Sequence, residues 1–205
     1  AAAAVFCFIF PELGREILGG ALSYALPYLV FVCYLAMETL DTRICKAMFY
    51  NCDLSLLHYS WYRQPKVVLR MFTLRLRKLA LLNFRLTGTL VAGMVVCALA
   101  CRLPMARYWG EFAGFCASVL LLGVLFAVHP LFLYYVFQPY TSDLNMKNPF
   151  FSGLNFAMYL VCYLCIQIKQ PPAGFALIVM GVTVVYTVVA LTLVFRRAPK
   201  TFRVK

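Results

Sequence analysis

Residues 62–86, YRQPKVVLRMFTLRLRKLALLNFRL, carry seven of the chain's 19 Lys and Arg residues and lead straight into an apolar run. At helical spacing, one narrow stripe of this stretch is polar and the opposite side is apolar. The stripe consists of Lys66, Arg70, Thr73 and Arg77, and the apolar side of Val68, Phe72, Leu76 and Leu79. A basic amphipathic helix of this kind lies at a membrane surface, so the stretch predicts a surface helix followed by a spanning one.

Arg75 breaks this pattern, because it projects from the apolar side of the predicted helix. A cation in that position must either extend to the lipid headgroups or pair with an acidic residue on another element or another subunit. The second alternative would imply a partner. The candidate partner-docking residues are therefore Lys66, Arg70, Arg75 and Arg77.

The composition is typical of a membrane protein. Of the 205 residues, 64% are hydrophobic and only 13% are charged, whereas a soluble domain is about half apolar and about a quarter charged. The formal net charge is +12, with the cations placed between the apolar runs and after the last one. This placement favours an anionic membrane surface or an acidic partner over nucleic acid. Most of the nine cysteines lie inside apolar segments, so they predict no disulfide framework.

The apolar runs predict an all-α, polytopic membrane bundle of about six transmembrane helices. The predicted segments are a partial helix at 1–10, spans at 21–40, 79–101, 111–137, 150–168 and 173–195, and a cytoplasmic loop at 41–78 that carries the basic helix. The opening run covers about half of a bilayer and does not begin with Met. We therefore expect a single transmembrane domain that is a fragment of a longer chain.

The distribution of cations orients this bundle. Nine fall in the first loop and its basic helix, one in the second inner loop and five in the tail, against three in the two later outer turns. We therefore expect a multi-pass protein of the cell membrane with both termini in the cytoplasm.

Nucleotide and metal chemistry have no motif in this sequence. No Gly-x-x-x-x-Gly-Lys-Ser/Thr phosphate loop occurs, so any ATP and Mg chemistry belongs to a partner subunit. Cys162 and Cys165 form a Cys-x-x-Cys pair, but without a second pair or a nearby His they favour helix packing over a metal or redox site. We predict no catalytic residue, cofactor site or metal site on this chain.

Small residues recur every fourth position in two neighbouring spans, which favours close packing of those helices over a dimer seam. They are Gly110, Gly114 and Ser118 in one span and Gly88 with Ala92 in the preceding one.

A few polar residues inside the later spans are candidates for a substrate path, because ionisable and polar groups are rare in such segments. They are His129, which precedes the helix-bending Pro130, and Asn155, Tyr159 and Tyr163, which share one helical face. Ordinary hydrogen bonds between helices explain the same residues equally well.

Three stretches carry a resemblance to a known family. They are CDLSLLHYSWYRQPKVVLRMFTLRLRKLALLNFRL at 52–86, LYYVFQPYTSDLNMKNPF at 133–150 and the closing APKTFRVK. They resemble, over residues 50–205, the membrane subunits of Gram-positive bacterial ABC transporters of the ABC-2-like exporter kind. The resemblance implies two facing six-helix units, each with a coupling helix between its second and third helices that docks on an ATPase subunit. The two units are either halves of one long polypeptide or two subunits, and the incomplete first helix fits the C-terminal half of such a polypeptide. The short outer turn KQPPAG departs from the longer segment of many such exporters.

On this resemblance we expect a permease component of an ATP-driven transporter, which exports an amphipathic or peptide-like substrate while an ATP-binding cassette subunit hydrolyses ATP. The alternative is a non-transporting accessory or assembly protein whose basic loop binds anionic lipid. An intramembrane enzyme is disfavoured, because neither two carboxylates nor a His with a Cys or Ser converge at one depth.

Overall fold

The computed structural model describes residues 11–101, 105–140, 149–167 and 172–202. Five long helices make up most of this part and are numbered here in chain order. They are α1 (Pro11–Met48), α2 (Pro65–Ala100), α3 (Met105–Phe137), α4 (Pro149–Cys165) and α5 (Pro172–Thr201). Between α1 and α2 lie a π-helical turn at Phe49–Asp53, one α-helical turn at Leu54–Leu56 and a 3-10 turn at Ser60–Arg63. The predicted all-α class is confirmed for these residues.

Three of the described helices are long and apolar enough to cross a membrane, namely Pro65–Ala100, Trp109–Phe137 and Ala173–Thr201. Helix α4 is also apolar but has only 17 residues. This makes it about 26 Å long, slightly shorter than a bilayer core. The helices fit a membrane-embedded protein. The predicted helix at 1–10 and the predicted turns around 102–104, 141–148 and 168–171 lie outside the described residues.

Helices α1 and α2 extend beyond the predicted boundaries. Helix α1 begins at Pro11 with Glu12 in its first turn, and both residues favour a helix start. It also continues through residues 41–48, which the sequence predicted as loop. Helix α2 begins at Pro65 and runs for 36 residues, about 54 Å, without a break. The predicted surface helix and the span after it are therefore one rod, because no further Pro interrupts it.

Helix α3 is the centre of the bundle. In its most apolar 18-residue window 72% of the residues are buried, against 17% in α2 and 22% in α5. Two hydrophobic clusters lie one after the other along the length of α3. The first includes Val30, Met37, Phe115, Val119 and Val179, and the second includes Phe49, Phe72, Leu131, Val194 and Phe202. The neighbouring helices thus bury one face on α3 and leave the other face to lipid or to a partner.

A buried ion pair joins the turn after α1 to α2. The two terminal guanidinium nitrogens of Arg75 donate to the carboxylate of Asp53, Nη1 to Oδ2 and Nη2 to Oδ1, each at 2.5 Å. The hydroxyl of Tyr62 donates to Asp53 Oδ1 at 2.7 Å, and that of Tyr134 donates to Oδ2. Nη1 of Arg75 also donates to the Tyr135 hydroxyl at 2.9 Å. Asp53 is fully buried and Arg75 is 8% exposed.

This network resolves the two alternatives for Arg75. Its acidic partner lies on another element of the same chain, so the burial of this cation implies no second subunit. Burial and the adjacent Asp53 carboxylate raise the pKa of Tyr62, which keeps its hydroxyl protonated as a donor. The second hydrophobic cluster encloses the network, and its ring of aromatic side chains includes a Tyr135–Phe202 stack with centroids 4.7 Å apart.

Gly123 of α3 packs against α2, whereas the predicted packing residues Gly88 and Gly110 lie in open space. A methyl group on Gly123 would lie 3.2 Å from both Oγ1 and Cγ2 of Thr87. The carbonyl of Gly123 also accepts a hydrogen bond from Nδ2 of Asn83 at 3.4 Å. At Gly88 and Gly110 a methyl group would meet no described atom within 4 Å.

Two further predicted packing residues, Gly114 and Ser118, lie on α3. Ser118 is buried, but its hydroxyl donates to the carbonyl of Gly114 one turn earlier, within the same helix. Spacing alone could not locate the contact, because it depends on how α2 and α3 are shifted along each other.

Neutralising one side of the ion pair should destabilise the fold strongly. We expect Asp53→Asn to lower the free energy of unfolding by about 3 to 5 kcal/mol, since it leaves the Arg75 cation buried without a counter-charge. The paired change Asp53→Leu with Arg75→Met should be less harmful, because it removes both charges. The melting midpoint in detergent measures this. The control is Arg77→Met on the exposed side of α2, and an equal midpoint for Asp53→Asn and this control would contradict the assignment.

A large side chain at Gly123 should separate α2 from α3. We expect Gly123→Leu to cost about 1 to 3 kcal/mol of stability through overpacking against Thr87. Gly110→Leu, an identical change on the same helix at an open position, should leave the melting midpoint close to that of the wild type. The hypothesis fails if the two variants melt together.

Candidate functional site

Exposed cations collect at one end of the bundle. The basic stripe of α2 is on the surface, with Lys66, Arg70 and Arg77 all exposed. The second hydrophobic cluster packs this part of α2 against the ends of α1 and α5. Together with the exposed cations of those helices, the stripe forms a surface that we term the basic face. It consists of Lys66, Arg70, Arg77, Arg43, Lys46, Arg196, Arg197 and Lys200.

No acidic side chain pairs with the cations of the basic face within the part of the chain that the structure describes. There, the pair of Arg75 with Asp53 is the only ion pair. Arg75 is engaged inside the fold and does not belong to this surface. The remaining cations are therefore available to an external anion, whether a lipid headgroup or an acidic protein surface.

A cleft opens between α1 and α4 and has a volume of about 370 Å³. Its polar lining includes the carboxylate of Glu38 and the amide of Asn155, and its apolar lining includes aromatic rings. The lining residues are Tyr34, Leu35, Glu38, Thr42, Phe151, Ser152, Asn155, Phe156 and Tyr159. Such a combination of apolar walls and a few convergent polar groups is typical of a ligand-binding site.

Hydrogen bonds fix the polar groups of this cleft. Oε1 of Glu38 accepts from the Thr42 hydroxyl at 3.3 Å and from Nδ2 of Asn155 at 3.4 Å. The Tyr34 hydroxyl donates to the backbone carbonyl of Asn155 at 2.9 Å. These bonds join α1 to α4 across the floor of the cleft, so the carboxylate is held in place by both helices.

Behind the cleft, polar side chains continue into the bundle. Asn155 lies near His129 of α3 without a hydrogen bond between them, and Nδ1 of His129 lies 2.6 Å from the hydroxyl of Tyr186 on α5. Nε2 of His129 and Oδ1 of Asn155 are buried, with no partner at hydrogen-bonding distance in the described structure. Polar groups from four helices thus converge behind Glu38, in a region that is otherwise apolar.

A second buried carboxylate lies one turn beyond Glu38. Asp41 is fully buried, and its Oδ2 accepts from Nδ2 of Asn83 at 2.7 Å. The remaining oxygens of the pair, Oδ1 of Asp41 and Oδ1 of Asn83, have no partner in the described residues. Asn83 thus provides the one side-chain hydrogen bond of Asp41 within the described structure.

The predicted substrate-path residues are brought together only in part. Asn155 and Tyr159 line the cleft, and His129 lies behind Asn155. Tyr163 is one turn further along α4, with its ring parallel to that of Tyr159 at a centroid distance of 6.5 Å.

Sequence reasoning missed Glu38, which it placed only at the end of a span. An acidic residue inside the apolar 21–40 stretch was the available signal, because a carboxylate there needs polar neighbours.

Metal ligation has no support in the described residues, where no group of three or more His, Cys, Asp or Glu side chains is arranged to hold an ion. Of the Cys-x-x-Cys pair, Cys162 is buried in the first hydrophobic cluster and Cys165 is half-buried, and both are free thiols. The basic face and the cleft are therefore the two candidate sites.

Comparisons with known protein families, with curated proteins and with solved structures find no match for this chain. The resemblance to the membrane subunits of ABC transporters accordingly stays a prediction.

Proposed function

We propose that this chain is a permease unit of an ATP-driven exporter for an amphipathic or peptide-like substrate, with ATP hydrolysed by a separate cassette subunit. The unit has about six membrane crossings, both termini in the cytoplasm, and works opposite a second unit of the same kind. It resides in the cell membrane. The resemblance over residues 50–205 motivates this proposal.

The observation that carries the proposal is the continuity of α2. Its exposed cations lie on the same unbroken helix that is long and apolar enough to cross a membrane. A partner that binds Lys66, Arg70 and Arg77 would therefore act directly on a spanning element. The Asp53–Arg75 pair holds this part of α2 against the turn after α1, so movement of the basic face would also reach α1 and the cleft.

A second candidate function is an accessory protein that binds anionic lipid. Its support is the pair of exposed aromatic residues beside the cations, Tyr59 at 57% and Trp61 at 52% exposure. Such aromatic side chains favour the membrane interface. On this alternative each cation adds only about 1 kcal/mol of non-specific attraction.

Reversing the charge of the stripe should distinguish between the two candidate functions. If an acidic groove on an ATPase binds the stripe, Arg70→Glu with Arg77→Glu should reduce association on the order of a hundredfold, because like charges then meet at the interface. The measurement is the vanadate-sensitive, Mg-dependent ATPase activity that co-purifies with the tagged chain at equal membrane expression and fixed salt. A matched control, Lys78→Glu with Arg85→Glu, changes the net charge equally at two exposed cations of α2 that do not belong to the basic face. If both double variants recover equal ATPase activity, the stripe is excluded as the docking site and the lipid function is favoured.

The proposed topology is tested by labelling single cysteines with a membrane-impermeant reagent in a cysteine-free background. A cysteine at Arg107 or Gln170 should react from outside, and one at Asn51 or Lys200 should react only after the membrane is opened. Asn51 and Lys200 are exposed, so a lack of access cannot be due to burial. Reaction at Asn51 in intact cells would invert the orientation and remove the ATPase from this face.

A further inference from the structure

We propose that the cleft between α1 and α4 binds the ammonium group of an amphiphile, with Glu38 as its counter-charge. This inference concerns the binding chemistry of the cleft and does not rest on the proposed function. An exporter would use such a site for its substrate, and an accessory protein would use it for a lipid.

The charge balance of the cleft is the first argument. Glu38 is half-buried, and among the described residues no Lys or Arg lines the cleft and none forms an ion pair with Glu38. Its neighbour along the helix, Asp41, adds a further acidic group rather than a cation. A carboxylate partly withdrawn from water without a counter-charge favours a positively charged ligand and disfavours an anionic one.

The hydrogen-bonding capacity of Glu38 is the second argument. Both bonds from the protein, from Thr42 and Asn155, go to Oε1, and both are long at 3.3 and 3.4 Å. Oε2 receives no hydrogen bond from the described residues and stays available to a donor. The same bonds orient the carboxylate, so the site is largely formed before a ligand binds. A primary ammonium carries three donors and suits such an oxygen.

The walls of the cleft are the third argument. Three of the lining side chains on α4 are aromatic, namely Phe151, Phe156 and Tyr159. Aromatic rings attract cations through their quadrupole, and they discriminate against anions. Carboxylate and rings therefore favour the same class of ligand.

The surroundings of the cleft indicate the rest of the ligand. The volume of about 370 Å³ suits a headgroup and the first part of a chain. Beyond it, the cleft side of α4 continues with the exposed rings of Phe156 at 60% and Tyr163 at 49%, and Leu35 of α1 is 42% exposed. A ligand with its ammonium at Glu38 can extend an apolar tail along this surface, which leads into the hydrocarbon of a membrane. The ligand is thus an ammonium-headed amphiphile.

Direct binding to the purified full chain tests this assignment. In a maltoside detergent, which carries no ammonium group, radiolabelled decylammonium should bind saturably. Decyl sulfate and decanol should not displace it, and unlabelled decylammonium should. Glu38→Gln keeps the size and the amide contacts of the side chain but removes its charge, and we expect the dissociation constant to rise on the order of tenfold or more. Glu111→Gln, which neutralises an acid outside the cleft, should bind as the wild type does.

A second variant tests the same cleft independently, in case Glu38→Gln loses binding because it does not fold. Ser152 is exposed at the cleft, so Ser152→Phe should fill the space without changing the charge and should also abolish binding. Wild-type affinity in both variants, or equal displacement by decyl sulfate, would overturn the proposal.

The source of the ammonium is resolved by competition in the same assay. Displacement of decylammonium by phosphatidylethanolamine, but not by phosphatidylglycerol, supports the site with a membrane lipid as its ligand. Displacement by free alkylamines alone supports the site with a transported or free amphiphile as its ligand.

Discussion

The buried pair of Arg75 and Asp53 constrains the rest of the structure. Removing two charges from water costs several kcal/mol per ion, and only excellent geometry with further hydrogen bonds compensates for it. Here the two groups meet in a bidentate fork, and three tyrosines complete the shell. The members of this network come from the turn after α1, from the segment before α2 and from α2 and α3, so the pair fixes how these elements meet.

This constraint explains why the backbone between α1 and α2 is irregular yet ordered by packing. A π-helical turn at Phe49–Asp53 carries Asp53 into the interior, and the 3-10 turn at Ser60–Arg63 does the same for Tyr62. Irregular turns of this kind are frequent where side chains must be aimed at a specific place. The chain reverses direction here without a flexible linker, and the basic face therefore lies on rigid elements.

The placement of acidic and basic groups makes the surface more positive than the composition suggests. Asp41 and Asp53 are buried and Glu38 is half-buried, whereas the cations of the basic face are exposed. These three acids thus serve internal contacts and the cleft, and they neutralise little of the charge of the basic face. The described surface consequently carries more exposed cations than exposed acids.

The two candidate sites also differ in what holds them. The stripe within the basic face depends on helix spacing along α2, which places Lys66, Arg70 and Arg77 on one side. The cleft depends on hydrogen bonds between α1 and α4, helices whose lining residues Glu38 and Asn155 are 117 positions apart. Long-range contacts of this kind are set by the packing of the whole bundle around α3.

The sequence by itself determined the helical class, the apolar character and the exposed basic stripe. Each of these three properties follows from local composition or from a period of 3.6 residues, and none of them requires knowledge of distant contacts. The same pattern marked Arg75 as anomalous, because a cation among Val68, Phe72 and Leu79 breaks the apolar side. The pattern could not identify the acidic residue that pairs with Arg75. The tertiary structure decided that Asp53 is the partner, that Gly123 and not Gly110 meets α2, and that Glu38 and Asn155 share one cleft. These outcomes depend on the rotation and axial shift of whole helices against one another, which packing energy sets and local sequence does not encode.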